Sequence, residues 1–300
     1  MLSRRSGAGA FFGATCGGAS LVPIHDQGYR RYLGSRAAIG TSWQVITRAG
    51  IVSVLGRRRF LGLLLIAWAP FVVRAVQVYV AANFQQASFL APKAETFFEF
   101  LGQQGVFVFF ITIYVGAGLI ANDRRANALQ VYLSKPLTRS EYVAGKLAIL
   151  FLFLIGVTWL PAVTLLLVQI LFAGSLSFVR DNLFLIPAIT LFSLLQVLVA
   201  STTMLALSSM SKSSRFVGVM YAGLIFFTSA LFNAIRGITG KTSFAWISPT
   251  ETLDQLGHLI FRLEPSFQLS PAIAILALMV LIGGSFWILE RQVRGVEVVQ

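Results

Sequence analysis

Two histidines, one cysteine and eleven carboxylates are the whole stock of metal-binding and acid–base groups in a chain of 300 residues. His25 and His258 stand far apart, neither with a ligand-type neighbour at metal-site spacing, so no metal centre is expected. Cys16 is single and has no internal disulfide partner. A metallopeptidase would need His-Glu-x-x-His, and an intramembrane aspartyl enzyme would need carboxylates inside its apolar runs. The first is absent, and every Asp and Glu falls in a loop, at the end of a run or in a tail. Gly240-Lys241-Thr242 looks like the end of a phosphate loop, but the glycine required upstream is Ile235, and no complete loop of this kind occurs. Gly116-Ala117-Gly118-Leu119-Ile120-Ala121 fits a dinucleotide fingerprint in letters only. It closes an apolar run instead of following a strand, so small residues for close helix packing are the better reading. The chain is expected not to be an enzyme and to bind no cofactor itself.

The polar residues inside the apolar runs are few: Arg74, Gln77, Gln169 and Gln196. Each is a candidate for lining a substrate path. Arg74 lies near the end of its run, where its long stem can snorkel or find a local polar partner. The glutamines can equally well bond between helices.

These side chains need elements to hold them, and composition says which. The chain is 56% hydrophobic and only 12% charged, against about 25% charged for a soluble domain. That apolar excess implies the bilayer as solvent. The net charge of +13 would suggest nucleic acid in a soluble protein. Here the basic residues sit between apolar runs, the pattern of topology signals, so no nucleic-acid partner is expected.

Six apolar runs, near 60–80, 102–121, 147–172, 183–208, 216–235 and 271–289, are each long enough to cross the hydrocarbon core as a helix. The expected fold is all-α: a polytopic transmembrane helical bundle of about six spans, residues 60–289. Pro161 and Pro187 should kink their spans. Eighteen Lys and Arg lie before the first span, in the second and fourth connectors and after the last span, against five on the other side. The positive-inside rule therefore places both termini in the cytoplasm. Residues 1–40 are expected to form a cytoplasmic tail and 290–300 a second one. The stretch 1–22 is interrupted by glycines and lacks the apolar core of a signal peptide. Residues 41–59 read as an amphipathic helix at the headgroup level, anchored by Trp43 and by Arg57, Arg58 and Arg59. Ser248-Pro249-Thr250-Glu251 reads as a capping box opening an outer amphipathic helix over 249–263, with a stripe at Leu253, Leu256, Leu259 or Ile260, and Leu263.

The connector 122–146 is the most informative segment. Leu129, Tyr132 and Leu133 make one apolar stripe at helical spacing, and Pro136 ends that helix. Thr138-Arg139-Ser140-Glu141 is a capping box that starts a second helix leading into the third span. The result is a helix–turn–helix elbow with a basic rim. Its stripe rests on lipid or the bundle, or it docks into a cytosolic partner that pushes on the bundle; the residues alone leave both open.

This connector resembles that of the ABC-2 type transporter permeases. Asp123 stands at the family's acidic position, Leu129, Tyr132 and Leu133 at its apolar positions, Pro136-Leu137-Thr138-Arg139 at its turn, and Gly145-Lys146 where the chain runs into the third span. Asn127-Ala128 departs from the usual Gly-Thr, and Asp123 replaces the commoner Glu. The segment from Pro23 to Tyr32 also resembles the start of certain bacterial permeases of this kind. The resemblance implies the permease subunit of an exporter in a bacterial cell membrane, with a partner ATPase that carries ATP and Mg and with a second permease subunit, identical or not. It assigns coupling to Asp123, Leu129, Tyr132, Leu133, Pro136 and Arg139. The competing readings are a secondary transporter, which would need midplane charges or coupling-ion ligands, an integral membrane enzyme, and a scaffold without transport.

Overall fold

The computed structural model describes residues 42–84, 92–128, 138–173 and 183–293, all within one compact unit, Ile39–Gln300. Eleven α-helices run in chain order among the described residues: α1 Ser42–Leu55, α2 Arg58–Ala67, α3 Ala69–Asn83, α4 Ala94–Ile111, α5 Ala121–Arg125, α6 Arg139–Val157, α7 Trp159–Ala173, α8 Leu185–Met210, α9 Ser214–Thr239, α10 Pro249–Ile260 and α11 Pro271–Gln292. No strand occurs among the described residues. Six helical runs are long and apolar enough to cross a membrane: Arg58–Asn83, Ala94–Arg125, Arg139–Phe172, Leu185–Met210, Ser214–Thr239 and Pro271–Gln292. The chain is thus an all-α, multi-pass membrane bundle.

Span two begins at Ala94, eight residues before the expected start at Gly102. Glu95 and Glu99 lower the apolarity of that stretch in sequence. In the fold it nonetheless buries Phe97, Phe98, Phe100 and Leu101. Spans three and four form the centre, each 56% buried in its most apolar window, whereas spans one, five and six keep 11–22%. Their outward faces therefore meet lipid or another chain. Lipid tails are as apolar as leucine, so close fit and hydrogen bonds hold such helices together. Gly116 fits this need: a Cβ there would lie 2.9 Å from Leu150.

Three spans are interrupted, and the backbone groups at each break find hydrogen-bond partners. Span three breaks at Thr158, whose N–H and O–H both donate to the Leu154 carbonyl at 2.9 Å, three residues before Pro161. Span one breaks at Trp68, two residues before Pro70, where the Trp68 N–H donates to the Leu65 carbonyl at 3.1 Å. Pro187 does not kink its span. It sits in the first turn of α8, where a missing N–H costs nothing.

Span two leaves α-helical geometry over Thr112–Gly116, a π-turn, and resumes as α5. Two N–H groups in this passage, those of Ile120 and Ala121, donate to the Ser208 hydroxyl of α8 at 3.2 and 3.1 Å, and that hydroxyl donates to the Ala117 carbonyl at 2.9 Å. One serine thus uses its donor and both lone pairs on a break in a neighbouring helix. Ser208→Ala is expected to lower unfolding stability by about 2 kcal/mol, since two N–H groups lose their partner away from water. Thermal unfolding in detergent checks this; a wild-type midpoint would remove Ser208 from the role.

On the far side of the bundle, α10 is pressed onto spans two, four, five and six. Gly257 packs against Phe98 and Phe192, the latter 2.7 Å from where a Cβ would stand. Thr252, Gln255 and Leu256 are buried, and of the expected stripe Leu253, Ile260 and Leu263 pack against buried residues while Leu259 is exposed, so the face runs through Ile260. Burial pushes the Glu251 carboxyl above its usual range, Asp254 adds to this and Arg236 opposes it. The expected capping box at Ser248 does not form. Ser248 is fully buried, and its hydroxyl pairs with Ser229 of α9 at 3.0 Å instead. Gln255 holds the following loop, donating to the Leu269 carbonyl and accepting from the Phe267 N–H.

Candidate functional site

Spans two and three meet at the end of the bundle where the basic connectors cluster. The Thr138 box starts α6 as read from the sequence: its hydroxyl accepts from the Glu141 N–H at 3.3 Å, and its own N–H donates to the Glu141 carboxylate at 2.9 Å. A helix begun there carries Tyr142 and Lys146 one turn apart on one face. That face meets α5. The Tyr142 hydroxyl donates to Asp123 Oδ2 at 2.7 Å, and Lys146 Nζ lies 2.7 Å from the same oxygen. Lys146 also sits 5.5 Å from the Tyr142 ring centre. Tyr142 is fully buried, and the Asp123 and Lys146 side chains keep 18% and 13% exposure. A charge pair this shielded is weakly screened, and it binds the two ends of the 122–146 connector together.

Helix α1 locks the same turn of α6 from the other side. Thr47 donates to the Gly145 carbonyl at 3.2 Å and to the Trp43 carbonyl at 2.7 Å. A Cβ at Gly145 would stand 3.0 Å from Ile46 and 3.1 Å from the Trp43 carbonyl oxygen. Gly50 faces Ile149 one turn further along, and a Cβ there would overlap that side chain. The face of α1 carrying Ile46, Gly50 and Val54 is therefore turned to span three, with Thr47 beside it.

Of the coupling residues expected from sequence, Asp123 lies in this network and Arg139 is exposed at the first turn of α6. Leu129, Tyr132, Leu133 and Pro136 lie outside the described residues, as do most of the two tails. Trp43 is 38% exposed at the start of α1, and Arg57, Arg58 and Arg59 are exposed at the α1–α2 junction. The path candidates do not converge. Arg74 pairs with Glu99 at 3.0 Å and donates to Gln77 at 3.1 Å, a polar clamp between spans one and two. Gln169 is half-buried on α7. Gln196 lines a separate cavity of about 550 Å³ with Phe98, Phe109, Tyr221 and Phe226, and its Oε1 has no hydrogen-bond partner among the described residues.

Tyr142, Lys146, Glu99 and the fully buried Gln104 were missed as functional candidates. The i, i+4 spacing of Tyr142 and Lys146 behind the Thr138 box was the available signal for the first two. Among the described residues, no three His, Cys, Asp or Glu side chains gather as a metal site.

Residues 55–291 match the family model described as ABC-2 family transporter protein, which covers most of the chain. No curated protein matches it.

Proposed function

The chain belongs to the ABC-2 transporter family, and from that footing we propose that it is the permease subunit of an ATP-driven exporter. The observation that carries this reading is the Asp123–Tyr142–Lys146 network, which makes both ends of the connector one rigid body with spans two and three. A force applied to the connector then reaches the bundle instead of being lost in a loose loop. The partner is a cytosolic ABC ATPase subunit, which carries ATP and Mg and seats the stripe Leu129, Tyr132 and Leu133 beside Pro136 and Arg139. A second permease subunit, identical or related, completes the assembly.

In this mechanism, ATP-driven closure of the ATPase subunits moves the connector, and α5 and α6 follow. The π-turn of span two and the Thr158 break of span three are the places where those spans can bend. Tilting of spans from two permease copies opens a path or lateral gate between them. The excess of basic residues at the connector end supports a cytosolic position for that end and for both termini.

The test is purification of the tagged chain from membranes in mild detergent. An ATPase subunit is expected to co-purify, and Arg139→Glu is expected to lower the ATPase turnover of the reconstituted complex roughly tenfold. If no ATPase subunit accompanies the chain, and charge reversal leaves turnover unchanged, the coupling reading fails.

A further inference from the structure

Between α1, the π-turn of span two, α6 and the start of α9 lies a cavity of about 930 Å³. Its inner wall is apolar: Val45 and Ile46 from α1, Ile113 and Leu119 from span two, Val219 and Ala222 from α9. Four charged residues line it, Arg57, Lys146, Arg215 and Asp123. Asp123 is already paired with Lys146, which leaves Arg57 and Arg215 in excess. Neither makes an ion pair with a carboxylate among the described residues. Both are exposed: Arg57 lies between α1 and α2, and Arg215 lies in the first turn of α9. That first turn has no side-chain cap at Ser213, so its N–H groups add to the positive potential.

We propose that this cavity holds an anionic phospholipid of the membrane leaflet at the connector end. Arg57 and Arg215 take the phosphate, and the apolar wall takes the upper part of an acyl chain. Charge complementarity selects the occupant. A zwitterionic lipid brings its own cation beside the phosphate and leaves the excess positive charge uncompensated, and a free phosphate leaves the apolar wall unfilled. The volume is that of a small-molecule site, and a basic pocket between spans at the charged end is a site for acidic headgroups. The lipid would bridge α1 and α9 across the face of the Asp123–Lys146 pair. This goes beyond the permease reading and does not depend on an ATPase.

The test uses the full chain in mild detergent with phosphatidylglycerol, phosphatidylcholine or inorganic phosphate, read by native mass spectrometry and by the unfolding midpoint. Phosphatidylglycerol is expected to be retained and to raise the midpoint, and phosphatidylcholine is not. Arg57→Gln with Arg215→Gln should weaken retention roughly tenfold, while Lys212→Gln, outside the lining, should not change it. Should the double variant fail to fold, Ala222→Phe decides: it puts a ring into the apolar wall where the acyl chain would lie, keeps both cations and must also weaken retention. Equal retention of phosphatidylcholine overturns the proposal. Equal stabilisation by inorganic phosphate makes the site one for a soluble anion and overturns it as well. Retention that survives both the double variant and Ala222→Phe places the lipid elsewhere.

Discussion

Asp123→Asn should lower unfolding stability by about 2 kcal/mol and cut partner-stimulated ATPase turnover roughly tenfold. Asparagine can still accept the Tyr142 hydroxyl, so what is lost is the countercharge of Lys146. That ammonium keeps only 13% exposure, and leaving it unpaired is the main cost. A fully buried pair would lose about 3–5 kcal/mol when one partner is removed. The residual contact with water reduces the figure here. The check is a cycle of Asp123→Asn, Lys146→Met and the double variant, each followed by unfolding in detergent. The double variant should be more stable than the sum of the single losses predicts, because it contains no orphaned charge. Additive losses would mean that the two groups do not interact. Turnover separates stability from coupling: the double variant should regain stability without regaining ATPase stimulation, since the ionic part of the tie across the connector is still missing.

Gly145→Leu is expected to cost about 3 kcal/mol and to detach α1 from span three. One of the atoms that a Cβ would meet is the Trp43 carbonyl oxygen, at 3.1 Å, which is backbone and cannot rotate away. The Thr47 bond to the Gly145 carbonyl would be lost with the contact. Gly145→Ala should show a smaller loss, because only Ile46 and that oxygen must shift. Hydrogen exchange over 42–55 is the direct measurement. Unchanged protection of α1 in Gly145→Leu would show that another surface holds it.

These two variants give physical content to a pair of residues that the sequence presents only as a pattern. Gly145 and Lys146 are adjacent in the chain, and they serve two neighbouring faces of one helix, about 100° apart. The glycine lets α1 approach, and the lysine reaches α5. Spacing puts Lys146 on the face of Tyr142, but which group each of the two residues meets depends on a partner from another helix.

The six spans were determined by the sequence alone, as were the Thr138–Glu141 cap and the break near Pro161. Each comes from a signal within a few residues: a long apolar run that only lipid or protein can cover, a hydroxyl three residues before a carboxylate, a missing N–H. Tertiary structure decided the rest. It set Asp123 against Tyr142 and Lys146, paired Arg74 with Glu99, turned the Ser248 hydroxyl from its own helix toward Ser229, and left Pro187 harmless in a first turn. In an apolar interior a polar group bonds to whatever partner packing brings within reach. Which helices become neighbours is a property of the whole bundle and of no single segment.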